Sequence, residues 1–286
     1  MADQSDTTAV RGATDDVDAR ETRVVNGSAV VANMASEMDA MYYNMCHSKR
    51  GLAIILNHEN FGIQKLKSRS GTNVDRDNLK ESLEHLGFDV KVYNDLPYKN
   101  IMKVVEEAVE TDHSEHDAFV MAVLSHGEQG ILYATDTPYK PEYLWTSFTA
   151  DKCPSLAGKP KVFFIQACQG DQLDGGITLA KRTEVDGNSV SYKIPTHADF
   201  LIAYSTVPGY FSWRNTTYGS WFMQALCFEL KRRGREMDML SLLTFVSQRV
   251  AIDFESNCPQ NPTMHNQKQI PCVTSMLTRL LKFSRK

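Results

Sequence analysis

Residues 161–170 read Lys-Val-Phe-Phe-Ile-Gln-Ala-Cys-Gln-Gly. The apolar part is short and rich in β-branched and aromatic residues, which is how a strand buried on both faces reads. It runs straight into Cys168, and Gly170 follows. Residues 118–127 repeat the design: Ala-Phe-Val-Met-Ala-Val-Leu is a second buried strand, and it ends in Ser125, His126 and Gly127. In open α/β sheets, sites form at the carboxyl ends of strands. A Cys and a His at two such ends, each followed closely by Gly, bring a thiol, a base and bare backbone N–H groups within reach of one another.

Working outward, Arg50–Asn57 is another apolar run of strand length, and Phe88–Tyr93 alternates as a strand with one wet face. Ala198–Ser205 reads as a further strand. Thr72 or Asn73 is placed to cap a helix running to about Leu86, with Val74, Leu79, Leu83 and Leu86 on its apolar side and Gly87 as the stop signal. Tyr98–Glu110, Ser220–Arg232 and Met237–Phe254 read as helices, while Pro271–Leu281 fits either strand or helix. Strands alternating with helices indicate an α/β fold with a mostly parallel central sheet and helices on both faces. One interval breaks the rhythm. Gln169–Thr196 spans 28 residues of glycines and polar side chains without periodicity, and uncovered loops of that length are functional or disordered.

The composition bounds the function. The chain has 286 residues, 42% hydrophobic and 23% charged, with a net charge of −4, so it carries no overall basic footprint for nucleic acid. No apolar run approaches the ~20 residues of a membrane helix, and the N-terminus lacks a basic start followed by an apolar stretch. Six cysteines without CxxC pairs fit free thiols in a reducing compartment, which predicts a cytoplasmic protein. His113 and His116 have no third ligand nearby and read as solvated side chains; neither a metal nor a cofactor is expected. Residues 1–41 contain no Leu, Ile, Phe, Trp or Tyr and carry eight acidic residues against three arginines. Such a segment buries too little apolar surface to offset the entropy of ordering it, and it reads as a flexible acidic tail.

Gln-Ala-Cys-Gln-Gly, with a His about 50 residues upstream, is the signature of one protease family; here the His lies 168 − 126 = 42 residues before the Cys. Ser68-Arg69-Ser70-Gly71-Thr72, Gly209–Asn215 and Gly219-Ser220-Trp221-Phe222 stand around it in order. From about Ala40 to Leu281 the chain resembles the caspases, in particular their short-prodomain effector members, and the insect type among them. The resemblance implies the three-layer caspase fold and an aspartate-specific cysteine endopeptidase acting in apoptosis. It implies Cys168 as nucleophile and His126 as general acid/base, with the N–H groups of Gly127 and Cys168 as oxyanion hole. Nothing cationic flanks Cys168 locally, so any lowering of its thiol pKa is expected from tertiary neighbours such as His126.

Arg69, Gln166 and Arg214 match the residues that grip the substrate aspartate, and Ser212, Trp213 and Trp221 match backbone-binding and aromatic subsite positions. Two segments read as self-cleavage sites: Asp15–Asp18 before Ala19, and Thr183–Asp186 before Gly187. Asp39 before Ala40 is a weaker third. The resemblance divides the chain into an acidic prodomain (1–41, with a cleavage candidate after Asp18), a large subunit (42–186) with the catalytic His and Cys, and a small subunit (187–286) with the substrate-binding loops. The loop Glu255–His265 departs from the best-known effector pattern, since it has no aromatic residue, which leaves the outer substrate subsite open. The implied partners are proteins with exposed Asp-containing loops, a second copy of the chain, an upstream initiator caspase, and inhibitor-of-apoptosis proteins or viral caspase inhibitors. Neither nucleic acid nor membrane is expected. Two other readings remain: a catalytically inactive interaction protein on the same fold, and a relative cutting after Arg or Lys.

Overall fold

Leu52, Ile54 and Leu56 point to one side of a strand, Ala53 and Ile55 to the other, and all five are buried. This strand, β1 (Leu52–Asn57), therefore has no wet face. The computed structural model describes residues 35–176 and 196–285; Asp18 and Asp186 lie outside the described residues. After β1 come α1 (Thr72–His85), β2 (Asp89–Asn94), α2 (Tyr98–Glu110) and β3 (Phe119–Leu124). A small sheet follows, made of β4 (Gly127–Glu128), β5 (Ile131–Tyr133) and β6 (Pro138–Tyr139). Then come β7 (Lys161–Gln166), β8 (Phe200–Tyr204), the pair β9 (Arg214–Asn215) and β10 (Gly219–Ser220), α3 (Trp221–Arg233), α4 (Met239–Asp253) and β11 (Cys272–Ser275).

The central sheet has the order β11-β8-β7-β3-β1-β2. Its neighbours pair in parallel except β11, which runs antiparallel to β8 at one edge. Pro271–Leu281, which fitted either element by sequence, thus supplies the edge strand. One face packs on α1, α3 and α4, around Ala53, Ile55, Val120, Phe164 and Leu201. The other packs on α2 and an aromatic cluster in which Phe119 and Phe148 stack at 4.4 Å. Register sets the site. Leu124 on β3 lies opposite Gln166 on β7, so the two strands end level and His126 and Cys168 leave the sheet side by side.

Several local expectations are corrected. Gly71, at φ +90°, precedes α1, and no side chain caps the helix. Thr72 is its first residue, and its hydroxyl donates instead to Asn57 Oδ1 (2.8 Å) and accepts from Arg69 (2.7 Å). The buried face is set accordingly: Val74 is exposed, and the inward position falls to Asp75. His113 and His116 are buried rather than solvated, with their Nδ1 atoms 2.9 Å apart. The last residues of the acidic segment are tied down, since Leu280 N–H donates to Met41 O (2.9 Å) and Arg279 to Glu37 O (2.8 Å). No helix among the described residues is long and apolar enough to cross a membrane.

Candidate active site

Gly127 shows why the residue after the His is a glycine. A Cβ there would stand 2.7 Å from Cys168 O and 2.9 Å from Ala167 Cβ, so the two strand ends approach each other through bare backbone. His126 is fixed from two sides. Its Nε2 lies 2.7 Å from Lys67 O, and the Phe61 ring leans on the imidazole at 4.9 Å between centroids. A carbonyl only accepts, so Nε2 holds the proton and Nδ1 is left as the basic nitrogen of the neutral ring. Neither Lys67 nor Phe61 was singled out by sequence: a backbone carbonyl has no sequence signature, and one Phe in a loop carries no pattern.

Ser212 joins the pieces. Its N–H donates to Cys168 Sγ (3.4 Å), its carbonyl accepts from the thiol (3.7 Å), and its hydroxyl accepts from Gln166 Nε2 (2.8 Å). Burial pushes the Cys168 thiol up; Ser212 N–H and the guanidiniums of Arg69 and Arg214 pull it down. The expected influence of His126 is thus replaced by that of the arginines. Burial pushes His126 down, the two arginines add to this, and the bond to Lys67 opposes it. Both shifts favour the uncharged forms of the pair.

Arg69 is fully buried. Its Nη1 donates to His58 O (2.9 Å) and Thr72 Oγ1 (2.7 Å), while Nε and Nη2 have no partner among the described residues. Arg214, half-buried on β9, donates through Nε to Ser70 O (3.0 Å) and acts electrostatically on both Arg69 and Cys168. Gln166 is buried, with Oε1 unpartnered among the described residues. Trp213 is half-buried and stacks on Trp221 at 5.7 Å; Trp221 is itself buried against Phe254 at 5.5 Å. Phe254, the residue just before the aromatic-free 255–265 loop, thus packs on Trp221. Gln269 fixes the main chain at Trp213 by accepting from its N–H (2.7 Å) and donating to Ser205 O (2.7 Å). Among the described residues no group of three or more His, Cys, Asp or Glu is placed to hold a metal ion.

A thiol and an imidazole at adjacent strand ends, with two guanidiniums near enough to act on both, are the equipment of a cysteine peptidase that reads an acidic side chain. The caspase-domain family matches residues 50–282, and the chain belongs to the caspase family. It is 65% identical to Caspase-1 of Spodoptera frugiperda over 90% of this chain and 86% of that protein. It is 60% identical to Caspase drICE of Drosophila melanogaster, over 90% of this chain and 76% of that one. Caspase-3 of Bos taurus is 43% identical, over 92% and 94% of the two chains. The crystal structure of Caspase-1 from Spodoptera frugiperda matches with a TM-score of 0.85 at 63% identity, covering 90% of this chain and 100% of that one. The chain is an aspartate-specific cysteine endopeptidase of the effector caspase type, acting in apoptosis. Its substrates are proteins, and dimerisation is a property of its family.

Proposed function

We propose that Cys168 is the nucleophile and His126 its acid/base partner. The observation that carries the substrate assignment is the bare edge of Arg69: Nε and Nη2 are the two donors on one side of a guanidinium, buried and, among the described residues, unpartnered. That edge matches the two oxygens of a carboxylate. Arg214 and the Gln166 side chain complete the grip on the aspartate that precedes the scissile bond. A substrate ending in Arg or Lys would instead bring a third cation into the pocket.

With the aspartate held, Sγ attacks the peptide carbonyl as its proton passes to His126, and the developing oxyanion faces the N–H groups of Gly127 and Cys168. The C–N bond then breaks, His126 gives the proton to the leaving amine, and a water molecule deprotonated by His126 hydrolyses the thioester. Ser212 and Trp213 line the backbone path, with Trp221 behind Trp213. Supporting the division into subunits, Asp186 lies between the Cys168 strand and the Arg214 segment, and both Asp18 and Asp186 follow Val and precede a small residue. Cleavage at these positions activates a cytoplasmic zymogen: an upstream initiator caspase cuts first, and cleavage after Asp18 exposes Ala19 to inhibitor-of-apoptosis proteins. Viral caspase inhibitors occupy the aspartate pocket. Two copies pair through β11, whose outer edge has no strand beside it among the described residues.

Replacing Cys168 tests the mechanism. Cys168→Ala abolishes hydrolysis of an Asp-terminated reporter peptide and leaves the chain intact on incubation, whereas Cys227→Ala, buried in α3, retains both activities. N-terminal sequencing of the incubated wild-type protein yields chains starting at Ala19 and Gly187. Turnover by Cys168→Ala would remove the mechanism, and new termini elsewhere would remove the processing sites.

A further inference from the structure

Asp75 belongs to no part of the mechanism above, yet it is buried in the first turn of α1, on the helix that begins three residues after Arg69. Its Oδ1 accepts from Ser220 N–H (2.8 Å) and its Oδ2 from the Ser220 hydroxyl (2.6 Å). Ser220 lies on β10, directly opposite Arg214 on β9. The neighbouring residue is shaped to the carboxylate as well: Gly219 sits at φ +91°, and a Cβ there would come within 2.2 Å of Asp75 Oδ1. One carboxylate on α1 thus grips the strand that faces Arg214, while the start of the same helix is bonded to Arg69 through Thr72.

We infer that Asp75 is the positioning residue of the aspartate pocket: it fixes Arg214 relative to Arg69 through Ser220, and its negative charge lets two neighbouring guanidiniums coexist before substrate arrives. The inference rests on the reading of Arg69 and Arg214 as the carboxylate pocket. It also deepens that reading, because Asp75 lies before and Ser220 after the Asp186 cleavage position, so the contact joins the two subunits at the pocket itself.

The charged and titratable groups facing Asp75 are Arg69 from the loop before α1, Arg214 from β9 and the Cys227 thiol from α3. Cys227 is pushed up to about 12 by burial and stays neutral. Burial raises Asp75 to about 6, against the pull of the Ser220 bonds and the two arginines. Its folded pKa thus lies above its unfolded one, so ionised Asp75 destabilises the fold at neutral pH. A carboxylate kept at the expense of stability is explained by work in the site.

Asp75→Asn keeps the shape and removes the charge. Its Tm at neutral pH is equal to or above wild type, its KM for an Asp-terminated reporter rises roughly tenfold or more, and alkylation of Cys168 by uncharged iodoacetamide is unchanged. In the wild type, KM rises as pH falls through about 6 and Asp75 takes a proton; in Asp75→Asn this rise is absent. Ser220→Ala raises KM in the same direction, and combining it with Asp75→Asn adds nothing further. A wild-type KM in Asp75→Asn, or an unaltered acid rise in KM, would overturn the inference; should Asp75→Asn not fold, a wild-type KM in Ser220→Ala would do so. Arg214→Ala is measured alongside. If it leaves KM unchanged, the pocket reading itself fails; if it raises KM while Asp75→Asn does not, only the role of Asp75 fails.

Discussion

Arg50 and Arg69 are both fully buried, and they are buried in opposite ways. Arg50 donates through Nε to Leu86 O (3.1 Å), through Nη1 to Asp117 Oδ2 (2.8 Å) and Met45 Sδ (3.3 Å), and through Nη2 to Ser284 O. The Phe283 ring covers the group at 5.2 Å. Every nitrogen has a partner and the charge is neutralised inside the fold. Among the described residues Arg69 has partners on Nη1 alone, and it lies next to a second cation. Buried polar groups are ordinarily satisfied, because an unmade hydrogen bond in a dry interior is expensive. The complete set around Arg50 joins the loop after α1, the segment before β3 and the C-terminal segment; the set around Arg69 is incomplete among the described residues, and under the proposed mechanism the substrate completes it.

The same substitution separates the two roles. Arg69→Met lowers kcat/KM on an Asp-terminated reporter by on the order of 10³-fold or more, since the site loses the donors built for the carboxylate. Its Tm stays level or rises, because an apolar side chain replaces a poorly paired buried charge. Arg50→Met does the reverse: it takes the guanidinium away from buried Asp117 and destabilises the fold by about 3–5 kcal/mol, while the folded fraction keeps its kcat/KM. Calorimetry beside active-site titration checks both. A large Tm loss in Arg69→Met, or a selective activity loss in Arg50→Met, would erase the distinction.

The buried histidine pair extends the comparison to titration, with a smaller effect. His113 and His116 share one hydrogen bond between Nδ1 atoms, which requires at least one ring to be unprotonated at that nitrogen. Burial, then His113, lowers His116 to about 4. The unfolded ring takes its proton near 6.5, so the fold loses stability as pH falls from about 6.5 towards 4. His116→Gln flattens part of that slope in urea midpoints measured across the window; an unchanged slope would contradict it.

What was legible in the sequence follows from range. Helix α2 falls at its expected limits, and β1, β3, β7 and β8 fall within a residue or two of theirs, because a continuous apolar run or a 3.6-residue period is local information. The ends bearing His126 and Cys168 were readable for the same reason. The N-terminus of α1 was not: Thr72 looks like a cap, but its hydroxyl is claimed by Asn57 and Arg69, so Gly71 turns the chain instead. Asp75 carried no signal in the sequence: its burial depends on Ser220, 145 residues away. Lys67 acts through its carbonyl and Ser212 in part through its main chain, and the backbone has no letter code. The β4–β6 sheet consists of strands of two or three residues, too short for any period to show.

The central claim is that the bare edge of Arg69 receives the substrate carboxylate. Two reporter peptides identical except for Asp or Asn before the scissile bond measure it directly, through kcat/KM of the wild type and of Arg69→Met on each. The wild type discriminates by on the order of 10³-fold or more, and Arg69→Met loses that ratio by a fall on the Asp peptide alone. Wild-type kcat/KM on the Asp peptide in Arg69→Met, or an undiminished Asp/Asn ratio, would contradict the account.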